Sequence, residues 1–377
     1  MILSSSTVEQ AIDGDHRATL VKQIVLARRN GTAPALLADD VPAGEGAVPL
    51  AMVRKRSALQ PPSADRAALL LIHGYGQNRY VWHLPARSFA NYLATAGFDV
   101  FSLDLRGHGR SRHLGAHPPK RITELVREDL PTALAEVQRL TGPRPIFLVG
   151  HSLGGLVSYA AAPAHAGVVK GIVTLGSPYH FTRGSRFLPL VGDAVLALDR
   201  RLHLGHGALP LRYVGEAMRL ARVLIESPFV PLPIRSHAPG SMEPRVLGQH
   251  MSLAMDRGSI AVVRSMFFRA AEARASGHRL GVLYGYAAAF EALDIPLLII
   301  AGSEDSLAPP EAVRPAYERS RSTDKTYRVF PRGHIDLIVG RDAPYTIWPL
   351  VLTWLGTRLR RIEPRRPAHS GAPPVAG

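Results

Sequence analysis

Short apolar segments alternate along this chain with segments of helical periodicity, and this alternation restricts the fold more than any other feature. The apolar segments are AALLLIHGYG at 67–76, FDVFSLDLRGHGRS at 98–111, IFLVG at 146–150 and VVKGIVTLGSP at 168–178. Helical segments lie between them at 88–97 and 122–142. Alternating strands and helices are typical of a mostly parallel sheet that is covered on both faces. The sequence therefore predicts an α/β fold with a doubly wound sheet.

The alternation stops at about residue 180 and resumes near residue 293. The segment between is rich in Leu, Arg, Pro and Ala, and it carries helical patterns such as GSIAVVRSMFFRAAEARA at 258–275. LDIPLLIIAGSED and KTYRVFPRGHIDL, which begin at residues 293 and 325, then predict two more strands before a closing helix. We therefore divide this part of the chain into a first core part at 31–180, a helical cap at 181–292 and a second core part at 293–362.

The first thirty residues, 1–30, lie outside the alternation and are predicted to form a peripheral extension. Within them, His16–Arg29 has the spacing of a short amphipathic helix, which we expect to pack on the core. The apolar side of this helix would comprise Leu20, Val21, Ile24 and Val25.

Two further segments are interpreted from their local composition. Residues 34–40 and 47–57 predict a leading pair of strands, because the turn-rich segment PAGEG lies between them. Residues 363–377 lack apolar periodicity, and this C-terminal tail is therefore predicted to be disordered.

The chain of 377 residues carries a net charge of +15 at pH 7. Nucleic-acid binding would explain such a charge, but the basic residues are scattered along the chain and form no stripe. Only five of the 45 basic residues are lysines, and an excess of arginine often reflects genome composition. We therefore expect no nucleic-acid partner, while peripheral contact with an anionic membrane stays an alternative explanation.

The sequence contains no cysteine, which excludes a disulfide scaffold, cysteine-ligated zinc and a cysteine nucleophile. Its first twenty residues lack the apolar core of a signal peptide. No stretch of 18 uncharged apolar residues indicates a transmembrane helix. We therefore expect a cytoplasmic protein whose membrane contact, if any, is peripheral.

FLVGHSLGG at 147–155 is the strongest indication of chemistry in the chain. Gly150, Ser152 and Gly154 match the G-x-S-x-G pattern, in which a serine sits on a sharp turn between a strand and a helix. Glycine suits the crowded backbone of such a turn because it has no Cβ. The apolar run before the pattern and the Ala-rich run after it supply the required strand and helix. Because the pattern also occurs by chance, Ser152 needs support from partners elsewhere in the chain.

A nucleophilic serine requires a base, an acid that orients the base, and donors for the developing oxyanion. The candidate base is His334 in FPRGHIDL, and the candidate acid is Asp305 in IIAGSEDSLAPP. Each follows a predicted strand, and the chain order of serine, aspartate and histidine is the one that this type of sheet requires. Glu304 is the rival acid, and we favour Asp305.

The candidate oxyanion donors are two backbone N–H groups. Leu153 follows the nucleophile directly, and Tyr75 lies in the loop IHGYGQN after the first central strand. His73 in the same loop is interpreted as structural.

LLLIHGYGQN, VFSLDLRGHGRS, LVGHSLGG, IIAGSEDSLAPP and GHIDL together resemble the motifs of the α/β-hydrolase superfamily. The resemblance covers residues 65–178 and 293–360, with shorter similarities to acid-lipase-like and polyester-synthase members. It implies a serine hydrolase that acts on esters or related acyl compounds, with the cap inserted between core strands. Ser152 stands where epoxide hydrolases and haloalkane dehalogenases carry aspartate and where polyester synthases carry cysteine. The resemblance also makes RGHGRS at 106–111 a structural turn.

These observations predict a carboxylesterase or lipase-like enzyme that uses a Ser152–Asp305–His334 triad and needs no metal or organic cofactor. The expected substrate is a small ester or lipid with a medium or long acyl chain, because FLPLVG, VLIESPFVPLPI and VVRSMFF make the cap lipophilic. Two alternatives remain open. One is an acyltransferase or thioesterase for CoA-linked or carrier-linked acyl groups, and the other is a non-catalytic binding module. The oligomeric state is not predicted.

Overall fold

Nine strands of the described residues form one sheet, which confirms the predicted α/β fold. The computed structural model describes residues 1–28, 48–59, 67–202, 205, 207–221, 235–277 and 284–362. The strands of the sheet are β1 Ile2–Asp13, β2 His16–Ala27, β3 Leu50–Ser57, β4 Ala68–Ile72, β5 Asp99–Asp104, β6 Ile146–His151, β7 Val169–Leu175, β10 Leu297–Gly302 and β11 Lys325–Phe330. Their order across the sheet is β1-β2-β3-β5-β4-β6-β7-β10-β11. The pairs from β5 to β11 are parallel, and those from β1 to β5 are antiparallel.

The helices cover both faces of this sheet and form most of the described cap. They are α1 Phe89–Thr95, α2 Gly109–His113, α3 Ile122–Glu124, α4 Leu130–Thr141, α5 Leu153–Ala161, α6 Leu188–Leu202, α7 Leu211–Leu220, α8 Pro244–Gln249, α9 Ile260–Ala275, α10 Ala287–Ala292, α11 Pro310–Val313, α12 Pro315–Arg319, α13 Asp336–Val339 and α14 Ile347–Ile362. Wider π-helical turns follow α3 at Leu125–Asp129 and α8 at His250–Ala254. Among the described helices, none combines the length and the apolar composition that crossing a membrane would require.

The predicted helix at His16–Arg29 is wrong, because residues 16–27 form strand β2. A two-residue turn joins β1 to β2, and Gly14 adopts φ +54° there between the paired residues Asp13 and His16. The two turn residues are Gly14 and Asp15, and glycine at the first central position of a two-residue turn is a hairpin signal. Residues 1–28 therefore extend the central sheet by two antiparallel strands and are not peripheral to it.

The strand predicted within 47–57 is confirmed as β3, but its partners differ from the predicted ones. β3 lies between β2 and β5 and pairs with both in an antiparallel manner. The other predicted strand of that pair, at 34–40, and the tail at 363–377 lie outside the described residues.

The sheet separates two apolar layers, as a doubly wound fold requires. In β4, Leu70 and Ile72 face one layer, while Leu69 and Leu71 face the other. This alternation follows from the two-residue repeat of a strand. Helices α4 and α5 cover the first layer, and helices α1 and α14 cover the second.

The cap is mainly helical where it is described, as predicted, and it packs on the loop that follows β4. Two short strands that the sequence did not indicate, β8 Ala208–Leu209 and β9 Gly258–Ser259, pair within it. The N–H of Asp256 donates to the carbonyl of Gly76 at 2.8 Å, and the N–H of Asn78 donates to the carbonyl of Ala254 at 3.0 Å. The cap is thereby fixed to the edge of the sheet where the candidate site lies.

Candidate active site

Ser152 stands at a sharp turn between β6 and α5, as the sequence predicts. Its backbone has φ 52° and ψ −120°, and Thr182 is the only other non-glycine residue with positive φ in the described ranges. Backbone strain of this kind concentrates at functional sites. The N–H of Ser152 donates to the carbonyl of Leu175 at 3.0 Å, which fixes the turn to the end of β7.

The two glycines of the pattern are required by close backbone contacts. A Cβ at Gly150 would lie 2.4 Å from the Cα of Gly155. A Cβ at Gly154 would lie 2.1 Å from the carbonyl oxygen of Ile72. Helix α5 therefore leaves the turn tightly packed against β4, and the Ser152 side chain is left half-buried at the carboxyl edge of the sheet.

His334 and Asp305 meet at the same edge, although 29 residues separate them in the chain. His334 Nδ1 lies 2.6 Å from Asp305 Oδ2. The second oxygen, Oδ1, accepts hydrogen bonds from the N–H groups of Leu307 at 2.9 Å and Ala308 at 2.8 Å. Both side chains are buried, whereas the rival acid Glu304 is exposed. The structure therefore pairs the histidine with Asp305.

Gly176 brings this pair next to the serine turn. It follows Leu175, the acceptor of the Ser152 N–H, and a Cβ on it would lie 3.0 Å from His334 Nδ1 and 3.1 Å from Asp305 Oδ2. The Ser152 hydroxyl itself makes no hydrogen bond with any described residue. Hydrogen bonds of catalytic groups are often long without substrate and tighten when it binds.

The predicted oxyanion donors flank the serine. Leu153 is the first residue of α5. Tyr75 follows Gly74, and a Cβ added to Gly74 would lie 3.0 Å from the Cβ of Ser152. Neither the Leu153 N–H nor the Tyr75 N–H has an acceptor among the described residues. The Tyr75 hydroxyl donates to the carbonyl of Ser259 in the cap at 3.0 Å, and burial raises the pKa of this hydroxyl.

His73 is structural, as interpreted from the sequence. Its Nδ1–H donates to the carbonyl of Gly74 at 2.9 Å, and its Nε2 accepts from the N–H of Leu105 at 3.1 Å. The bond that Nε2 accepts needs the neutral ring, because both nitrogens of a protonated histidine are donors. Burial lowers the pKa of His73 to about 4, which keeps the ring neutral near pH 7.

His151, the residue before the serine, is a positioning group that sequence reasoning did not identify. Its Nδ1 lies 3.0 Å from Gln77 Oε1, which also accepts from the N–H of Gly74. Its Nε2 lies 3.3 Å from the carbonyl oxygen of His334, and the two rings are 4.5 Å apart. Burial and then the charge of His334 lower the pKa of His151 well below its usual value. A neutral ring carries a single N–H, so it donates to one of these two oxygens and only packs against the other, and it lies between the oxyanion loop and the loop that carries His334.

Asp336 is a second positioning residue that the sequence did not indicate. Its carboxylate accepts from the N–H of Gly333 at 2.9 Å, from the N–H of Ala238 at 2.8 Å and from the Ser241 hydroxyl at 2.7 Å. Burial raises the pKa of this carboxyl group. The loop before His334 is thereby held to the cap.

The turn RGHGRS braces the loops around the site, as the resemblance implies. Asp104 accepts from the N–H groups of Arg79 and Arg110, each at 2.9 Å, and it pairs with the Arg79 guanidinium. Arg106 Nε donates to Asp129 at 2.6 Å inside the protein. In the part of the chain that is described, no three His, Asp or Glu side chains are arranged to hold a metal ion.

Comparison with known proteins gives a family match to most of the first core part and the beginning of the cap. The profile of the alpha/beta hydrolase fold family matches residues 67–198. The chain is 27% identical to a monoacylglycerol lipase of Mycolicibacterium smegmatis over 271 residues, which are 72% of this chain and 81% of that protein. It is also 31% identical to epoxide hydrolase B of Mycobacterium tuberculosis, but only over 32% of this chain and 31% of that protein.

A solved structure resembles most of this fold. It is a thermophilic esterase from Thermogutta terrifontis, with a TM-score of 0.55 and 20% identity. The match covers 88% of this chain and 98% of the esterase. This likeness shows a shared fold and leaves the chemistry to be argued from the site.

Proposed function

We propose that this protein, an α/β-hydrolase of the esterase and lipase type, cleaves carboxylic esters of lipophilic acyl groups through an acyl-enzyme on Ser152. The observation that carries the proposal is the buried Asp305–His334 hydrogen bond of 2.6 Å beside the strained turn at Ser152. A serine on such a turn, with a histidine oriented by an acid, is the arrangement that activates a hydroxyl as a nucleophile.

The proposed reaction has two halves that use the same groups. Ser152 Oγ attacks the ester carbonyl carbon while His334 Nε2 takes the hydroxyl proton, and Asp305 stabilises the imidazolium through Nδ1. The N–H groups of Leu153 and Tyr75 would bind the oxyanion. His334 then protonates the leaving alcohol and the C–O bond breaks. In the second half His334 takes a proton from water, the resulting hydroxide attacks the acyl carbonyl, and the proton returns to Ser152.

The cap supports a lipophilic substrate. Ten of the seventeen exposed large apolar side chains in the described residues lie within 181–292: Phe187, Leu190, Val191, Leu198, Leu202, Leu209, Tyr213, Val214, Leu220 and Phe268. Exposed arginines lie among them on α6 and α7, including Arg200, Arg201 and Arg219. Apolar side chains interspersed with basic ones favour contact with an anionic lipid surface. The proposal includes a cytoplasmic enzyme that meets its substrate at such a surface, and the similarity to a monoacylglycerol lipase from Mycolicibacterium smegmatis is consistent with a lipid ester as substrate.

The test is hydrolysis of p-nitrophenyl esters from acetate to palmitate by the wild type and by Ser152→Ala. Ser276→Ala, which lies after α9 in the cap, is the matched control. We expect activity that peaks at a medium or long chain, falls by at least about 10³-fold in Ser152→Ala and is unchanged in the control. Activity that survives in Ser152→Ala would contradict the proposal.

The same assays separate the two alternatives. Turnover of acyl-CoA without hydrolysis of simple esters would indicate an acyltransferase or thioesterase. A folded wild type that neither cleaves esters nor reacts with a fluorophosphonate would indicate a binding module.

Lipid contact is tested with a pair of equally exposed leucines. Leu220 on α7 is 77% exposed, and Leu59, outside the cap, is 82% exposed. We expect Leu220→Ser to weaken binding to anionic vesicles and Leu59→Ser to leave it unchanged. Equal effects of the two substitutions would contradict a specific role of the cap.

A further inference from the structure

A groove with a volume of about 590 Å³ lies between the cap and the loops that follow β4 and β5, and the predicted triad does not line it. We name it the arginine groove. Its basic lining residues are Arg79, Arg110, Arg112, Arg212 and His113. Its size is within the range of small-molecule sites. Neither the ester chemistry nor the bracing role of RGHGRS explains this concentration of guanidinium groups.

Two of these four arginines are neutralised by buried carboxylates. Arg79 pairs with Asp104, and Arg112 Nη1 lies 3.0 Å from Asp256 Oδ1. Both carboxylates are fully used, because Asp104 accepts two backbone N–H groups and Asp256 accepts the N–H of Gly109 at 2.7 Å. They therefore have little capacity left to compensate further positive charge.

The other two arginines, Arg110 and Arg212, are exposed and have no carboxylate partner among the described residues. They come from different parts of the fold, Arg110 from α2 in the core and Arg212 from α7 in the cap. A ligand that both guanidinium groups contact would therefore bridge the core and the cap.

The positive charge around the groove also affects the pKa values of two lysines, Lys22 and Lys55. Burial and then the charges of Arg79 and Arg110 lower the pKa of Lys22. Burial and then the charges of Lys22 and Arg79 lower the pKa of Lys55, whose Nζ donates to the neutral amide oxygens of Gln10 and Asn91. An anion in the groove would reduce this repulsion.

We infer that the arginine groove binds a phosphate group, with Arg110 and Arg212 as its charged ligands. Guanidinium groups donate paired N–H bonds that match the spacing of phosphate oxygens. The volume of the groove exceeds that of a phosphate alone, so the group would belong to a phosphate ester. A lipid headgroup and a soluble phosphate ester share this chemistry.

The experiment measures binding to two probes, glycerol 3-phosphate by calorimetry and lipid vesicles by sedimentation. The vesicles are phosphatidylcholine alone or mixed with phosphatidylglycerol. The test variant is Arg110→Gln/Arg212→Gln. The control is Arg321→Gln/Arg328→Gln, which removes the same charge from exposed positions just before and within β11, an edge strand that lies four strands away from β4. Unfolding midpoints of both variants establish that each is folded.

We expect at least tenfold weaker binding in the test variant and less than twofold change in the control. Loss confined to phosphatidylglycerol vesicles assigns the site to a lipid headgroup, and loss with glycerol 3-phosphate assigns it to a soluble ester. Equal weakening in test and control variants, or no binding of the wild type to either probe, overturns the inference. Because binding is read directly, these outcomes do not depend on ester hydrolysis.

Discussion

Replacing Asp305 by asparagine tests how the triad is oriented. Asp305 Oδ1 accepts the N–H groups of Leu307 and Ala308, while Oδ2 faces His334 Nδ1 at 2.6 Å. The single carbonyl oxygen of asparagine should stay at the Oδ1 position, since turning the amide would leave two buried N–H donors facing an NH₂ group. Each unsatisfied donor would cost about 1–3 kcal/mol. The NH₂ group therefore faces Nδ1.

The magnitude follows from the tautomer that this arrangement imposes. An NH₂ donor opposite Nδ1 requires Nδ1 to accept, so the ring proton moves to Nε2. A histidine protonated at Nε2 cannot take the Ser152 proton. Substitution of the triad aspartate by asparagine lowers kcat by about 10⁴-fold where geometry is kept. This corresponds to about 5.5 kcal/mol in the activation free energy.

The assay is kcat/KM for the best p-nitrophenyl ester at pH 7, together with the unfolding midpoint. The exposed neighbour Glu304 provides the control, because Glu304→Gln is the same chemical change one residue earlier. We expect the control to remain within twofold of the wild type. The assignment of Asp305 would be refuted if the Asp305→Asn variant kept more than a tenth of the wild-type kcat/KM. A large loss of kcat/KM in Glu304→Gln would refute it as well.

Three further substitutions test the surroundings of the site. Gly154→Ala places a Cβ 2.1 Å from the carbonyl oxygen of Ile72, so we expect a loss of about 3 kcal/mol or more in urea unfolding. His151→Phe removes the link to the His334 loop, so we expect kcat to fall about tenfold with little change in KM or in the unfolding midpoint. The pKa of His73 is lowered to about 4, so the unfolded state binds more protons between pH 4 and 6.5, and stability should fall by roughly 3 kcal/mol as the pH drops through that range. His73→Gln should reduce this slope, with the remainder due to other buried histidines such as His151 and His250, and an unchanged slope in urea titrations would contradict the prediction.

The core and the candidate triad were predictable because their signals are local. Ser152, Asp305 and His334 each follow an apolar strand within a few residues, and parallel strands bring their carboxyl ends to one edge. The sequence favoured Asp305 over Glu304 although both lie at the same strand end, and the structure separates them by burial and by the hydrogen bond of Asp305 to His334.

The N-terminal hairpin shows how a periodic pattern can mislead. Leu20, Val21, Ile24 and Val25 are spaced like one face of a helix. In β2 they divide between the two faces of the sheet, with Leu20 in one apolar layer and Val25 in the other. A strand that is buried on both faces loses the alternation that would distinguish it from a helix. The turn signal at Gly14-Asp15 was the better guide.

Contacts between the cap and the core could not be read from the sequence. Asn78 Nδ2 lies 3.2 Å from Asp256 Oδ2 across 178 residues, and Asp336 joins Ala238 across 98 residues. Such pairs involve single polar residues with no local pattern. Their positions depend on how the cap folds over the sheet, and this packing is a tertiary property.

The net charge of +15 illustrates why composition alone gave two interpretations of the basic residues. Several arginines are internal, such as Arg54, which is bonded to Asp99, and Arg106, which is bonded to Asp129. A buried pair contributes almost nothing to the external field, because its two charges cancel at short range. The field outside the protein therefore depends on unpaired groups such as Arg110 and Arg212. Whether a basic sequence attracts an anion depends on where its carboxylates lie. At the arginine groove the carboxylates are Asp104 and Asp256, and both already accept hydrogen bonds from backbone N–H groups.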